Sequence, residues 1–429
     1  MKAGKEKAAA KNVYAQRRKA LVELLRKRPE GENSVAILFS GEEESLVPFL
    51  PDTNFYYFTG VASPKAALMI HLTPQKSDEM LFLPAPDPAA ERWTGKVITS
   101  GSLTRPNAEP DAERRDAMKT TQCAAIAAHY QLEDALIRPL RAAKTLYLDF
   151  PEDAFQAPIG QSQLFWEKVR ARYPFLELRH LGRISGELRR VKGAEEIAAM
   201  RQAIAITAEA NGAITRHLRP GLHEFELQAL IEYVFRSRGA EGLAFPSIIG
   251  SGPYTCILHY DKNRRRMKAG DLVVCDIGAR KGFYCADVTR TYPVSGRFSK
   301  RQRKVYEAVL DARRAALEAC RPGAFVHQVH KAASDAIAKA GFSKYFFHGT
   351  SHYLGLDAHD KGSYDEPLVP GVVITIEPGI YIAEENLGVR IEDDVVITRE
   401  GYDVMTKDIA REAGEIEKLM AAPRRVIVY

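Results

Sequence analysis

The sequence predicts an α+β protein in two parts, a mixed α/β N-terminal domain and a larger C-terminal domain of paired helices and strands. Three observations predict this. The chain has 429 residues, against roughly 100–200 for an ordinary domain. Its first half mixes short β-rich runs with polar helical stretches. Its second half reads helix, helix, strands and then helix, helix, strands again, an order that hints at a duplicated unit although no short tandem repeat is present.

Taken in order, a polar helix is expected from Val13 to Lys27. Strand-like runs follow at Ser34 to Phe39, Asn54 to Phe58, Ala66 to Leu72, Met80 to Leu83 and Thr145 to Asp149. Between Pro84 and Pro139 a segment rich in Pro, Ala and charge, including Thr104 to Pro110, reads as surface loops plus a helix. The composition changes at Leu188 to Gly193, after which Ile197, Met200 and Ile204 recur at helical spacing. Leu227, Leu230, Ile231 and Val234 mark a second helix that stops at Gly239, a residue suited to the left-handed conformation that ends helices. Helices over Lys300 to Ala319 and Val326 to Ala340, the latter ending at Gly341, precede a strand block from Val372. The expected divisions are a flexible leader over 1–12, an N-terminal domain over 13–187 and a C-terminal domain over 188–429.

The formal charge of +6 is small for this length. Arg264-Arg265-Arg266 and Arg17-Arg18-Lys19 are basic clusters, but short basic runs are usually solvated. Neither zinc-finger spacing nor the aromatic-basic pattern of RNA-binding sheets is present, so no nucleic-acid partner is expected. No apolar run reaches the roughly 18–20 residues of a membrane span, and the Lys/Ala-rich start lacks a secretory signal's apolar segment. Five cysteines, an odd number and widely spaced, suit reduced thiols better than a disulfide framework. A cytoplasmic location is the expectation.

Chemistry concentrates in three stretches. In Leu272 to Arg290, two apolar strands flank a turn, and a two-residue turn at Lys281-Gly282 sets Asp276 opposite Asp287. Opposed Cβ atoms lie about 4.5–5.5 Å apart, where two bare charges repel by ~3 kcal/mol at an effective dielectric of about 20. A shared proton or a divalent cation relieves this, and oxygen ligands with a histidine nearby favour the cation. Phe347 to Asp360 holds three histidines, His348, His352 and His359, beside glycines. With no glutamate after His348 it is not the zinc-protease helix motif, and a loop or strand setting is expected. Finally, Glu377 and Glu392 each interrupt an apolar run, which is costly unless they are paired or bind a cation. The polar segment Glu384 to Gly388 between the two strands lets them meet, and a structural ion pair with Arg390 is the bland alternative.

These residues resemble the aminopeptidase P branch of the pita-bread metallopeptidases, a family that also includes prolidase, methionine aminopeptidase and creatinase. The resemblance rests on Asp276-Ile277-Gly278, Asp287 to Thr291, Ser351 to Gly355, Ile376 to Gly379 and Ile391 to Asp394, all in the family's order, and on Asn54 to Gly60 in the N-terminal half. It implies a C-terminal pita-bread (creatinase/aminopeptidase) fold behind an N-terminal creatinase-type domain. It also implies two divalent ions, Mn²⁺ by family habit with Co²⁺ or Zn²⁺ as substitutes. Asp276 would chelate one ion, His352 and Glu377 the other, and Asp287 and Glu392 would bridge both. The ions would acidify a shared water that attacks the bond before a proline at position 2 of a peptide. Glu377 would move protons, and His259 and His359 would hydrogen-bond substrate and intermediate. His348 would sit in the pocket, with Tyr381 and Arg390 orienting the carboxylates and contributing to substrate binding. Tyr353 stands where many bacterial members carry tryptophan, which bears on the balance between dipeptides and longer peptides.

The alternatives are a dipeptide-restricted prolidase sharing the metal site, and a non-catalytic pita-bread protein that binds peptides, histones or nucleic acid. A metal-free, creatinase-like hydrolase would lack most of the five ligands. A homodimer or homotetramer is expected from the resemblance.

Overall fold

The structure, a computed structural model, describes residues 13–28, 33–43, 48–102, 110–150 and 159–422. The expected leader at 1–12 and nearly all of Thr104 to Pro110 lie outside them. The chain divides into two compact units, 1–188 and 189–429.

The first unit is built on a mixed six-stranded sheet. Its strands are β1 (Ser34–Phe39), β2 (Ala67–Leu72), β3 (Ser77–Leu83), β4 (Ile126–Ala128), β5 (Thr145–Leu148) and β6 (Glu177–His180), in the order β4-β3-β2-β1-β5-β6. β1, β2 and β3 run antiparallel, whereas β5 pairs parallel with β1 and β6 with β5. Asn54 to Phe58, expected to be strand, is instead helical over Thr53–Thr59. The Asp52 carboxylate accepts the Phe55 N–H at 2.8 Å, and Gly60, at φ 69°, closes the helix from the left-handed region. Two good caps outweigh the β preference of aromatic residues. Capping also explains why Pro84 to Pro139 holds three helices rather than one, at Pro88–Thr94, Ala112–Thr121 and Leu132–Ala142. Asp87 and Asp111 start the first two by accepting N–H groups of the first turn.

The second unit shows the doubled order. Helices Ala194–His217 and Glu224–Ser237 precede β7 (Gly242–Leu243), β8 (Ile248–Ser251), β9 (Leu272–Ile277), β10 (Ala279–Lys281), β11 (Tyr284–Cys285) and β12 (Val288–Pro293). Helices Lys300–Ala319 and Val326–Lys339 then precede β13 (Val373–Ile376), β14 (Gly379–Ile382), β15 (Leu387–Arg390), β16 (Asp393–Ile397) and β17 (Tyr402–Val404). Both strand sets and all four helices feed one apolar core. Val273, Cys275 and Ile277 from β9 and Ile374 and Ile376 from β13 meet Ile214, Ile231, Val309 and Val329 from the helices. Because side chains alternate along a strand, the residues between these core positions, Asp276 and Thr375, are turned to the opposite face. That face carries the chemistry.

Candidate metal centre

The first ribbon differs from the expected register. Asp276 pairs with Thr289, and Lys281 with Tyr284, so the turn is Gly282-Phe283 with φ of 58° and 66°. Both central residues are left-handed, as a tight hairpin turn of this kind requires, and here a phenylalanine accepts that conformation. The expected direct opposition of Asp276 and Asp287 is therefore wrong by two residues. A slip of two preserves which face each side chain occupies, so the aspartates remain diagonal neighbours on one face. Between them the ribbon passes Gly278, where any Cβ would collide with the carbonyl oxygen of Ala286. Gly278→Ala is expected to destabilise the unit by about 2–4 kcal/mol through forced backbone displacement, measured as a lower urea midpoint. An unchanged midpoint would mean that the ribbon has slack there.

The second ribbon keeps one register throughout. Val373 pairs with Val396, Ile376 with Asp393 and Gly379 with Arg390, which sets Glu377 opposite Glu392, as the sequence suggested. At this point the ribbon's own ladder opens. Glu377 donates its N–H to the Thr350 carbonyl at 2.8 Å, and Glu392 donates to the Thr289 carbonyl of β12 at 3.0 Å. The two ribbons are stitched together where their carboxylates stand.

His352 enters from the loop ahead of β13, outside any helix. Its N–H reaches Thr375 Oγ1 at 3.1 Å, and its Nδ1 donates to the Tyr353 carbonyl at 3.0 Å. That bond leaves Nε2 as a bare lone pair. Nε2 faces Asp287 Oδ2 at 3.5 Å, Glu377 Oε1 at 3.8 Å and Glu392 Oε1 at 4.0 Å. Asp287, His352 and Glu392 offer ligand atoms that all lie within 4.8 Å of one another. Asp276 contacts Arg390 through Oδ2 at 2.7 Å, while its buried Oδ1 has no hydrogen-bond partner among the described residues.

This arrangement is strained as a bare protein site. Burial, followed by repulsion from Glu392, Asp276, Asp394 and Glu377, pushes Asp287 well above the usual carboxylate range. Glu377 is raised well above its ordinary value by burial and then Glu392, and Glu392 is pushed up to about 8 by burial and then Asp276. Burial and the stacked His359 ring, 4.1 Å away, hold His352 down to about 4. A lone pair aimed at three carboxylates and an orphaned carboxylate oxygen fit a divalent cation, with oxygen-rich, single-imidazole ligation.

The remaining expected residues surround a cavity of about 620 Å³ that the four carboxylates and His352 line together with His259, His348, His359 and Arg390. Tyr381 is buried behind His348 and donates its hydroxyl to His348 Nε2 at 2.9 Å, because His348 Nδ1 is committed to the Gly349 carbonyl. Arg390 donates to Tyr381 at 3.2 Å and to Asp276. Arg390 therefore pairs with an aspartate and not with either glutamate. Burial and then Arg390 push His348 down to about 4, leaving a neutral ring at the wall. Sequence reasoning missed Thr289, whose hydroxyl donates to Glu392 Oε2 at 2.7 Å. It lies two residues from Asp287 on the same strand face, a spacing that marks it. The reading also missed Asp394, which accepts the Asp287 N–H at 3.3 Å. The cysteines are all free thiols.

The profile "Metallopeptidase family M24" matches residues 198–399, and "Aminopeptidase P, N-terminal domain" matches residues 14–124. The Xaa-Pro aminopeptidase of Escherichia coli K12 is 32% identical over 97% of this chain and 99% of its own. The structure of Pseudomonas aeruginosa aminopeptidase PepP superposes with a TM-score of 0.81 at 30% identity, covering 96% of this chain and 98% of that one. A Xaa-Pro dipeptidase of Pyrococcus furiosus is 39% identical, but over 54% of this chain and 67% of its own.

Proposed function

Because the chain belongs to the Xaa-Pro aminopeptidase group of metallopeptidase family M24, we propose that the cavity around His352 is where it releases the first residue of peptides whose second residue is proline. It is a metal-dependent aminopeptidase with an α+β pita-bread fold. The observation that carries the choice of substrate is similarity along 97% of the chain to a Xaa-Pro aminopeptidase. The dipeptidase reading keeps one support, 39% identity over 235 residues.

Five side chains, Asp276, Asp287, His352, Glu377 and Glu392, would hold two divalent ions. The bound ions lower the pKa of water and polarise the scissile carbonyl. Glu377 takes the proton of the attacking water and delivers it to the departing proline nitrogen. His259 and His359, both at the cavity wall, donate hydrogen bonds to the carbonyl oxygen as charge gathers on it. His348, kept neutral by burial and Arg390 and oriented by Gly349 and Tyr381, contacts the substrate. Arg390 fixes Asp276, and Thr289 fixes Glu392, so the carboxylates do not reorganise during the reaction. We assign manganese as the working ion, a homodimer or homotetramer as the assembly and the cytoplasm as the location. Among the described residues no helix is long and apolar enough to cross a membrane.

Chelator-stripped protein should cleave nothing, and Mn²⁺ should restore release of the first residue from Xaa-Pro-Xaa peptides. Each ion present at about 100 times its dissociation constant should also add roughly 2.7 kcal/mol of stability, visible as a raised Tm. Cleavage confined to Xaa-Pro dipeptides would move the assignment to a dipeptidase. Failure with Mn²⁺, Co²⁺ and Zn²⁺ alike would remove it.

A further inference from the structure

A second cavity, of about 610 Å³, adjoins the first, and His259 and Asp261 line both. Part of its lining is aromatic and apolar. Tyr254 and Tyr260 stack with ring centroids 4.5 Å apart, next to Ile257, which is 48% exposed. The lining also includes the basic residues Lys262, Arg264 and Arg265, with Asp261 among them.

The cations differ in what they already do. Arg265 is neutralised by Asp271 at 2.6 Å, and Lys262 lies 3.8 Å from Asp261. The Arg264 guanidinium is exposed and has no ion pair or side-chain hydrogen bond among the described residues. The scaffold beneath is fixed. Fully buried Glu224 accepts from Tyr260 Oη at 3.0 Å, from the Ser251 N–H at 2.8 Å and from the Arg265 N–H at 2.8 Å, tying both ends of the segment that carries His259 to the start of one helix. The groove is therefore formed before any ligand arrives.

Resting on the aminopeptidase reading above, we propose that this groove receives the part of the peptide beyond proline, and that Arg264 selects a carboxylate there. A substrate whose first residue is released at the carboxylate cluster must extend away from it. The shared wall at His259 and Asp261 gives continuity, the tyrosine stack gives apolar contact and Arg264 gives the complementary charge.

The test uses the Mn²⁺-loaded full chain and peptides that begin Ala-Pro and continue with Glu-Glu, Gln-Gln or Lys-Lys, each C-terminally amidated, plus the Gln-Gln peptide as a free acid. One exposed ion pair should raise kcat/KM for Glu-Glu about five-fold over Gln-Gln, with Lys-Lys lowest, and about 0.3 M salt should flatten the series. A gain seen with the free acid places the selected carboxylate at the chain terminus, and a gain seen with the Glu-Glu amide places it on a side chain; either supports the groove. Arg264→Gln should collapse the order and Arg264→Glu should invert it, while Lys300→Glu, an equal change in net charge outside both cavities, should keep it. Equal rates for all peptides, or an Arg264→Glu order like that of the unaltered protein, would overturn the groove and leave the aminopeptidase standing. No cleavage of any peptide would overturn both.

Discussion

Replacing Glu377 by glutamine is expected to lower kcat on Xaa-Pro-Xaa peptides by on the order of 10³-fold, within the range of a lost general acid–base group. The amide keeps the size of the side chain and its place opposite Glu392 in the ribbon, so the fold is undisturbed. It cannot carry the proton from water to the proline nitrogen. It is also a poorer metal ligand, and the assay must separate the two losses. Metal content of the variant, measured alongside kcat at excess Mn²⁺, does so. A variant that retains its ions and is slow has lost proton transfer, whereas one that recovers fully at high Mn²⁺ has lost only affinity. Activity within ten-fold of the original enzyme, with ions retained, would remove Glu377 from the proton path and leave it a ligand. KM should change little, since the proton moves after the substrate is bound.

What could be read from the sequence depended on how local each determinant is. The pairing of Glu377 with Glu392 was legible because one polar segment joins two apolar runs, and the observed register carries through from Val373 and Val396 to Ile382 and Leu387. The pairing of the aspartates was misplaced because glycine marks a turn without saying which central position it takes. The turn uses Phe283 as its second left-handed residue, which a preference for glycine does not anticipate. The chemical conclusion survived only because an even slip keeps side chains on their face. The helix at Thr53–Thr59 was hidden by its own aromatics, although Asp52 and Gly60 flank it as start and stop signals. Least legible were partnerships between distant residues. Nothing near Arg390 in the sequence says that it will bind Asp276, or that Tyr381 will join it to His348.

Asp393 is the extreme case of such distance, and Asp393→Ala should be the most destabilising single change in the second unit. Asp393 lies on β16 beside Glu392 but on the opposite face, toward the core. It accepts from Arg290 at 2.7 Å, from Arg313, from Thr406 Oγ1 at 2.5 Å, and lies 3.5 Å from Arg411. Burial alone would raise its pKa, yet Arg290, Arg313 and Arg411 hold it down to about 2. Alanine leaves Arg290 and Arg313, both buried, without their counter-charge, and breaking a buried pair from one side costs about 3–5 kcal/mol. The damage also reaches the metal site, because Arg290 donates to the carbonyls of Glu392 and Thr289 at 2.5 and 2.9 Å and so sets the backbone that aims Glu392. The expected results are a lower urea midpoint by far-ultraviolet circular dichroism and a weaker affinity for Mn²⁺ in the folded variant. Both tryptophans, Trp93 and Trp166, belong to the first unit, so their fluorescence provides a separate record of that unit. A midpoint shifted by less than the equivalent of about 1 kcal/mol would mean that solvent or Arg411 rearrangement compensates the buried cations, and unchanged Mn²⁺ affinity would mean that the strand pairing alone aims Glu392.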